Sequence, residues 1–138
     1  MAITKILANS QGFPGTAGAA LSAGDLVGFN SSGQLVKADA DAGTPIRAVG
    51  VILYDVASGA PCSYATQAIL EDADWSWTPP GLVYLSGTAG AFTATKPSSA
   101  TNIVQPVAEI VTATRLFVNI ALQTHVLQAA GNSTLAVY

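Results

Sequence analysis

The sequence contains very little charge. Charged residues make up 9% of its 138 positions, against about 25% in a typical soluble protein. Its five Lys and Arg residues are scattered and the formal net charge is −3, whereas proteins that bind phosphate backbones cluster their basic side chains. We therefore expect no direct contact with nucleic acid.

Cysteine and histidine occur once each, as Cys62 and His125. A single cysteine forms no internal disulfide, which is typical of a protein made in a reducing cytosol. Closed zinc sites need about four Cys or His ligands. Cys62 has no basic neighbour to activate its thiol, and no spacing connects His125 to a nucleophile. These absences predict no zinc site and no catalytic residue.

Acidic residues cluster in two loops, one with Asp39 and Asp41 and the other with Glu71, Asp72 and Asp74. Neither cluster has the pattern that closes a calcium loop, and no spacing selects a pair of carboxylates for glycoside hydrolysis. We expect solvated loops, no metal, no cofactor and no enzymatic activity. A small hydrolase that uses these carboxylates remains the enzymatic alternative.

Long apolar runs are also missing, since the longest is residues 49–54 and a helical membrane span needs about 20. We expect no membrane partner. Yet 50% of the residues are hydrophobic, and surfaces that are apolar and poor in charge are typical of obligate interfaces. The composition therefore favours a chain covered by other subunits. The alternative is a monomer whose surface is mostly Ser, Thr, Ala, Gly and Asn.

A β-hairpin unit occurs twice. The first copy comprises Asp25–Asn30, Gln34–Ala38 and Ile46–Leu53. The second comprises Leu82–Ser86, Ala91–Thr95 and Ile103–Ile110. Short strands separated by turns predict an all-β fold, a small antiparallel barrel or a sandwich. Further strands are expected at Ile3–Ala8, Cys62–Leu70 and Arg115–Leu122.

The predicted organisation is an extended N-terminal arm (1–24), a β-domain (25–122) and a C-terminal arm (123–138). Residues 9–24 are rich in Gly, Ala and Ser, so we expect them to add little to a core. Extended arms can add to a neighbour's sheet. Interface residues are expected in both arms and at the closely spaced tryptophans: Ile3, Ile6, Phe13, Trp75, Trp77, Leu127 and Tyr138.

Two segments resemble structural proteins of tailed bacteriophages, the first of them the small capsid decoration proteins. One is Ser22–Val27 followed by Arg47–Val51. The other, Gly81–Ser86 with Gly90–Thr93 and then Val104–Glu109, is similar to β-modules of phage heads and tail fibres. The resemblance implies a homotrimer that binds the major capsid protein at local threefold positions on the outside of the expanded shell. Such a protein holds neighbouring capsomers together without catalysing a reaction.

The sequence thus leads to a virion protein, made in the bacterial cytoplasm, that stabilises a phage capsid. The alternative is a receptor- or glycan-binding module of a tail fibre, in which Trp75 and Trp77 stack on sugars.

Overall fold

The computed structural model describes residues 3, 5–41, 43–121 and 125–126, and these form an all-β structure without helices. In chain order the strands are β1 (Lys5–Asn9), β2 (Phe13–Thr16), β3 (Leu26–Phe29), β4 (Leu35–Lys37), β5 (Gly50–Ile52), β6 (Pro61–Ala65), β7 (Gln67–Glu71), β8 (Leu82–Leu85), β9 (Phe92–Thr93), β10 (Ile103–Val104), β11 (Pro106–Thr112), β12 (Arg115–Asn119) and β13 (His125–Val126). Among the described residues, no helix has the length or the hydrophobicity to cross a membrane.

Two antiparallel sheets pack against each other as a sandwich, and they do not close into a barrel. The five-stranded sheet has the order β2-β6-β5-β3-β4, and the six-stranded sheet has the order β1-β7-β12-β11-β8-β9. A separate short pair joins β10 and β13. Of the two architectures that the sequence predicts, the sandwich is therefore the one that forms.

The internal duplication is visible in the topology. The same connectivity occurs in strands β2 to β6 and in the series β7, β8, β9, β11, β12. In each series the first strand (β2 or β7) pairs with the last (β6 or β12), and the hairpin (β3–β4 or β8–β9) lies at the opposite edge. Strand β1 is an addition, because it pairs with β7 and has no counterpart beside β2 among the described strands. Apart from β1, the first half of the chain therefore supplies the five-stranded sheet and the second half supplies the six-stranded sheet.

Both predicted hairpins are confirmed, as β3–β4 and β8–β9. Gly33 turns the first with φ +75° and Gly90 turns the second with φ +78°, a conformation that glycine adopts without steric cost. Gly90 also ties the hairpins together. Its N–H donates to the Ala38 carbonyl at 2.7 Å, and its own carbonyl accepts from the N–H of Leu26 at 3.0 Å.

Strands β3 and β5 carry buried side chains on both faces of the five-stranded sheet. Leu26 and Val51 point into the central core between the sheets. Their chain neighbours Val27 and Ile52 point to the other side, into a second cluster. All three residues of β5 are accordingly buried.

The second cluster corrects one expectation. Residues 9–24 were expected to add little to a core, yet Ala17 and Leu21 are buried over the outer face of the five-stranded sheet. The N–H and carbonyl of Leu21 both bond to Val56 at 2.9 Å. A Gly- and Ala-rich segment packs closely here because its small side chains let the backbone lie near the sheet.

Several predicted strands differ in extent from the observed ones. Ile46–Leu53 shortens to β5, Cys62–Leu70 divides at Thr66 into strands of different sheets, and Ile103–Ile110 divides at Gln105. Strand β12 ends at Asn119, and Leu122 lies outside the described residues.

Gln105 explains the late start of β5. Its side-chain oxygen accepts from the N–H of Ala48 at 2.8 Å, and its amide nitrogen donates to the carbonyls of Ala48 at 2.8 Å and Ala121 at 2.9 Å. The Ala48 backbone is thus bonded to a side chain instead of a strand, so β5 cannot begin earlier.

Candidate interaction surfaces

The residues assigned to an interface from the sequence occupy different environments. Ile3 and Ile6 are half-buried and pack against the central core. Phe13 is 45% exposed, on the edge strand β2. Leu127 and Tyr138 lie outside the described residues. The described residues of this set are therefore not gathered on one surface.

Trp75 and Trp77 are brought together, with ring centroids 5.7 Å apart and ring planes at 61°. Both are half-buried and pack against the central core, where Trp75 also meets Phe92 edge to face at 6.1 Å. The backbone N–H of Trp77 donates to the Ala113 carbonyl at 2.8 Å. This geometry places one indole against the other instead of presenting two parallel ring faces.

The acidic residues of the second loop are engaged in local contacts. Glu71 forms an ion pair with Arg115 at 3.0 Å. Asp72 is buried, and its carboxylate accepts from the N–H of Asp74 at 2.9 Å. The ion pair joins β7 to β12, and the Asp72 carboxylate fixes the turn that leads to the tryptophans.

In the first acidic loop, the carboxylate of Asp39 accepts from the backbone N–H of Asp41 at 3.0 Å. A side-chain hydrogen bond with Asp39, followed by desolvation and the charge of Asp39, raises the pKa of the Asp41 carboxyl above its ordinary value. Across the part of the chain that the structure describes, no three His, Cys, Asp or Glu side chains come close enough to hold a metal ion.

Cys62 is 5% exposed, within the second cluster, and burial raises the pKa of its thiol. We expect it to react with a disulfide reagent about 100-fold more slowly in the native protein than in the denatured chain at pH 8, because burial lowers both access and thiolate population. The two rates are measured from the coloured thiol that the reagent releases, with and without denaturant. Equal rates would contradict the burial of Cys62.

An aromatic cluster lies on the outer face of the five-stranded sheet. Tyr64 sits between Phe13, with centroids 5.7 Å apart, and Phe29, with centroids 6.0 Å apart. The Tyr64 ring covers Gly50, where a Cβ atom would overlap it. Phe13 and Phe29 are each nearly half exposed, so the cluster presents apolar surface to solvent.

An open cleft adjoins this cluster at Phe29. It has a volume of about 610 Å³, and its apolar lining comes from Phe29, Pro45, Ile46, Val49 and Ile103. Its polar lining comes from Asn30, Ser31, Thr44 and Arg47. The guanidinium of Arg47 is thus the single ionic group in a mainly apolar depression of the described structure.

The outer face of the six-stranded sheet carries a second apolar surface. In the strand register, Glu109 lies between Phe117 on β12 and Leu82 on β8. Leu82 is 50% exposed and Phe117 38% exposed. A depression of about 170 Å³ between them is lined by Leu82, Pro106, Ala108, Glu109, Phe117 and Asn119.

Apart from Phe13, these surfaces are formed by residues that the sequence did not single out as interface residues. The alternation Arg-Leu-Phe-Val-Asn in β12 was a usable signal, because the buried Leu116 and Val118 place Phe117 on the opposite face. Nothing local in the sequence indicated that Arg47 and Phe29 share a cleft. Comparison of the chain with protein-family models and with curated proteins finds no match.

Proposed function

We propose that this protein is a structural component of a tailed-phage particle, which binds the outer surface of the capsid and clamps neighbouring capsomers. It acts there with other copies of itself, as a homotrimer in the arrangement implied by the resemblance to decoration proteins. Binding of this kind needs apolar surface that the folded chain leaves available, and no reactive side chains.

The observation that carries the proposal is a difference between the two duplicated sheets. In the five-stranded sheet, the segment around Ala17 and Leu21 packs over much of the outer face. In the described structure, the six-stranded sheet leaves Leu82, Val111 and Phe117 exposed on the corresponding side. A large apolar side chain contributes about 1.5–3 kcal/mol when fully buried, so this face supports association once another subunit covers it.

The low charge agrees with this role. Exposed Lys and Glu side chains keep monomeric proteins apart in solution, and only 9% of this chain is charged. A lattice of capsomers also offers many equivalent sites, and simultaneous contacts raise the effective strength of binding without any new interaction.

The proposal is tested with expanded shells assembled from the coat protein of the same phage genome, prepared without this chain. We expect the purified protein to co-sediment with the shells up to a saturating ratio, and to raise their melting temperature in calorimetry. Shells that remain bare at saturating protein concentrations would contradict the proposal.

The aromatic cluster identifies a candidate shell contact. We expect Phe13→Ser to weaken shell binding about tenfold or more, since an exposed aromatic residue is a common anchor of interfaces. Tyr54→Ser is the matched control, because Tyr54 is an exposed aromatic residue outside the cluster. Equal losses of shell binding in both variants would show that the aromatic cluster is not part of the shell contact.

A further inference from the structure

Two apolar depressions of this molecule each contain one ionic residue, and the two charges are opposite. Arg47 is the ionic residue of the cleft beside Phe29. Glu109 is the ionic residue of the depression between Leu82 and Phe117. The first lies beside the five-stranded sheet and the second on the outer face of the six-stranded sheet.

Neither charge is neutralised by the described residues of its own chain. Lys37 is 4.0 Å from Asp25, and Arg115 is 3.0 Å from Glu71. Arg47 and Glu109 take part in no ion pair and in no side-chain hydrogen bond of the described structure. Both side chains are exposed, so each is available to a partner.

We propose that the two depressions bind each other in neighbouring copies of this chain. Arg47 of one copy forms an ion pair with Glu109 of the next, while Leu82 and Phe117 fill the apolar cleft lined by Phe29 and Ile46. This inference rests on the proposed function, since it names the self-contact by which copies associate on the shell.

Charge complementarity selects this arrangement over a symmetric one. A twofold contact of the six-stranded sheet with itself sets the same patch against its own copy. Where the twofold axis passes near Glu109, that carboxylate faces its own copy in an apolar setting, and like charges so placed cost several kcal/mol. The contact of unlike patches instead pairs every Arg47 with a carboxylate.

The unlike contact has a geometric consequence. It leaves an unused cleft on one copy and an unused Glu109 surface on the other, so a further copy can add. Heterologous contacts of this kind produce a closed ring when the rotation between copies closes, and a filament when it does not. A ring or a filament is therefore the expected assembly of the free protein when the two depressions of one copy contact two different neighbours.

Charge reversal tests the pairing in the full-length protein. We expect Arg47→Glu and Glu109→Arg, each alone, to raise the dissociation constant of self-association about 100-fold or more, because each places like charges together. The double variant restores the pair in the opposite orientation and is expected to associate as the wild type does. Sedimentation velocity over a concentration series measures all four proteins.

Lys96→Glu and Asp74→Arg are the controls, since both residues are exposed and lie outside the two depressions. Matching thermal melts show that every variant is folded. Wild-type protein that stays monomeric, single reversals that associate normally, or a folded double variant that stays dissociated would each overturn the inference.

The shell experiment separates this inference from the proposed function. A monomer that binds shells overturns the Arg47–Glu109 contact and leaves the capsid role intact. An oligomer that depends on this pair but leaves shells bare retains the contact and overturns the capsid role.

Discussion

Replacing Gln105 with leucine is expected to lower the free energy of unfolding by about 4 kcal/mol, because a buried backbone group left without a partner costs about 1–3 kcal/mol. The fully buried amide bonds both the N–H and the carbonyl of Ala48, and also the Ala121 carbonyl. Leucine fills a similar volume and satisfies none of these groups. Urea unfolding followed by tryptophan fluorescence measures the change.

The size of this effect follows from what Gln105 connects. Its side chain links the segment before β5 to the chain between β10 and β11, two parts of the sequence that are 57 residues apart. The corresponding control is Gln67→Leu, because Gln67 is exposed and its amide bonds Asn119 at 3.3 Å on the surface. We expect that control to stay within about 0.5 kcal/mol of wild type. Equal stability of the two variants would show that Gln105 does not hold the halves together.

The second large effect is expected at Gly28. A Cβ atom there would overlap the carbonyl oxygen of Arg47 and would lie 2.6 Å from Cγ2 of Ile46. Backbone cannot rotate away as a side chain does, so Gly28→Ala must displace β3 or the segment that crosses it. We expect a loss of about 3 kcal/mol in unfolding free energy, at the upper end of the usual cost of overpacking.

Gly28→Ala has a matched control in Gly43→Ala, since Gly43 is exposed and a Cβ atom there meets nothing within 4 Å. The unfolding free energy of the control is expected to lie within about 0.5 kcal/mol of the wild-type value. Any change should be a small increase, since alanine lowers the entropy of the unfolded chain. The same urea titrations compare the two. If both alanine variants unfold at the same urea concentration, the close approach of the Gly28 backbone to the Arg47 carbonyl is contradicted.

The fold is predictable from the sequence where local signals determine it. The turns at Gly33 and Gly90 and the apolar strands beside them identify both hairpins, and the repeated pattern indicates the duplication. Strand ends are less predictable, because partners distant in the sequence decide them. No local signal shows that Gln105 bonds the Ala48 backbone and shortens β5.

The surfaces were harder to predict than the fold. Trp75 and Trp77 are the largest side chains of their region, and size alone did not show that both pack against the core. Phe117 and Leu82 are ordinary strand residues, and they became candidates once the register placed them on either side of Glu109. The separation of buried from exposed apolar residues is a property of the folded sandwich, because it depends on which segment covers which sheet face.

The central claim is that other subunits on a capsid cover the apolar faces of this sandwich. Electron cryomicroscopy of expanded shells saturated with the protein tests it most directly. The account predicts density for the two packed sheets on the outer surface of the shell, in contact with adjacent capsomers and with neighbouring copies of the chain. A reconstruction identical to that of untreated shells would contradict it.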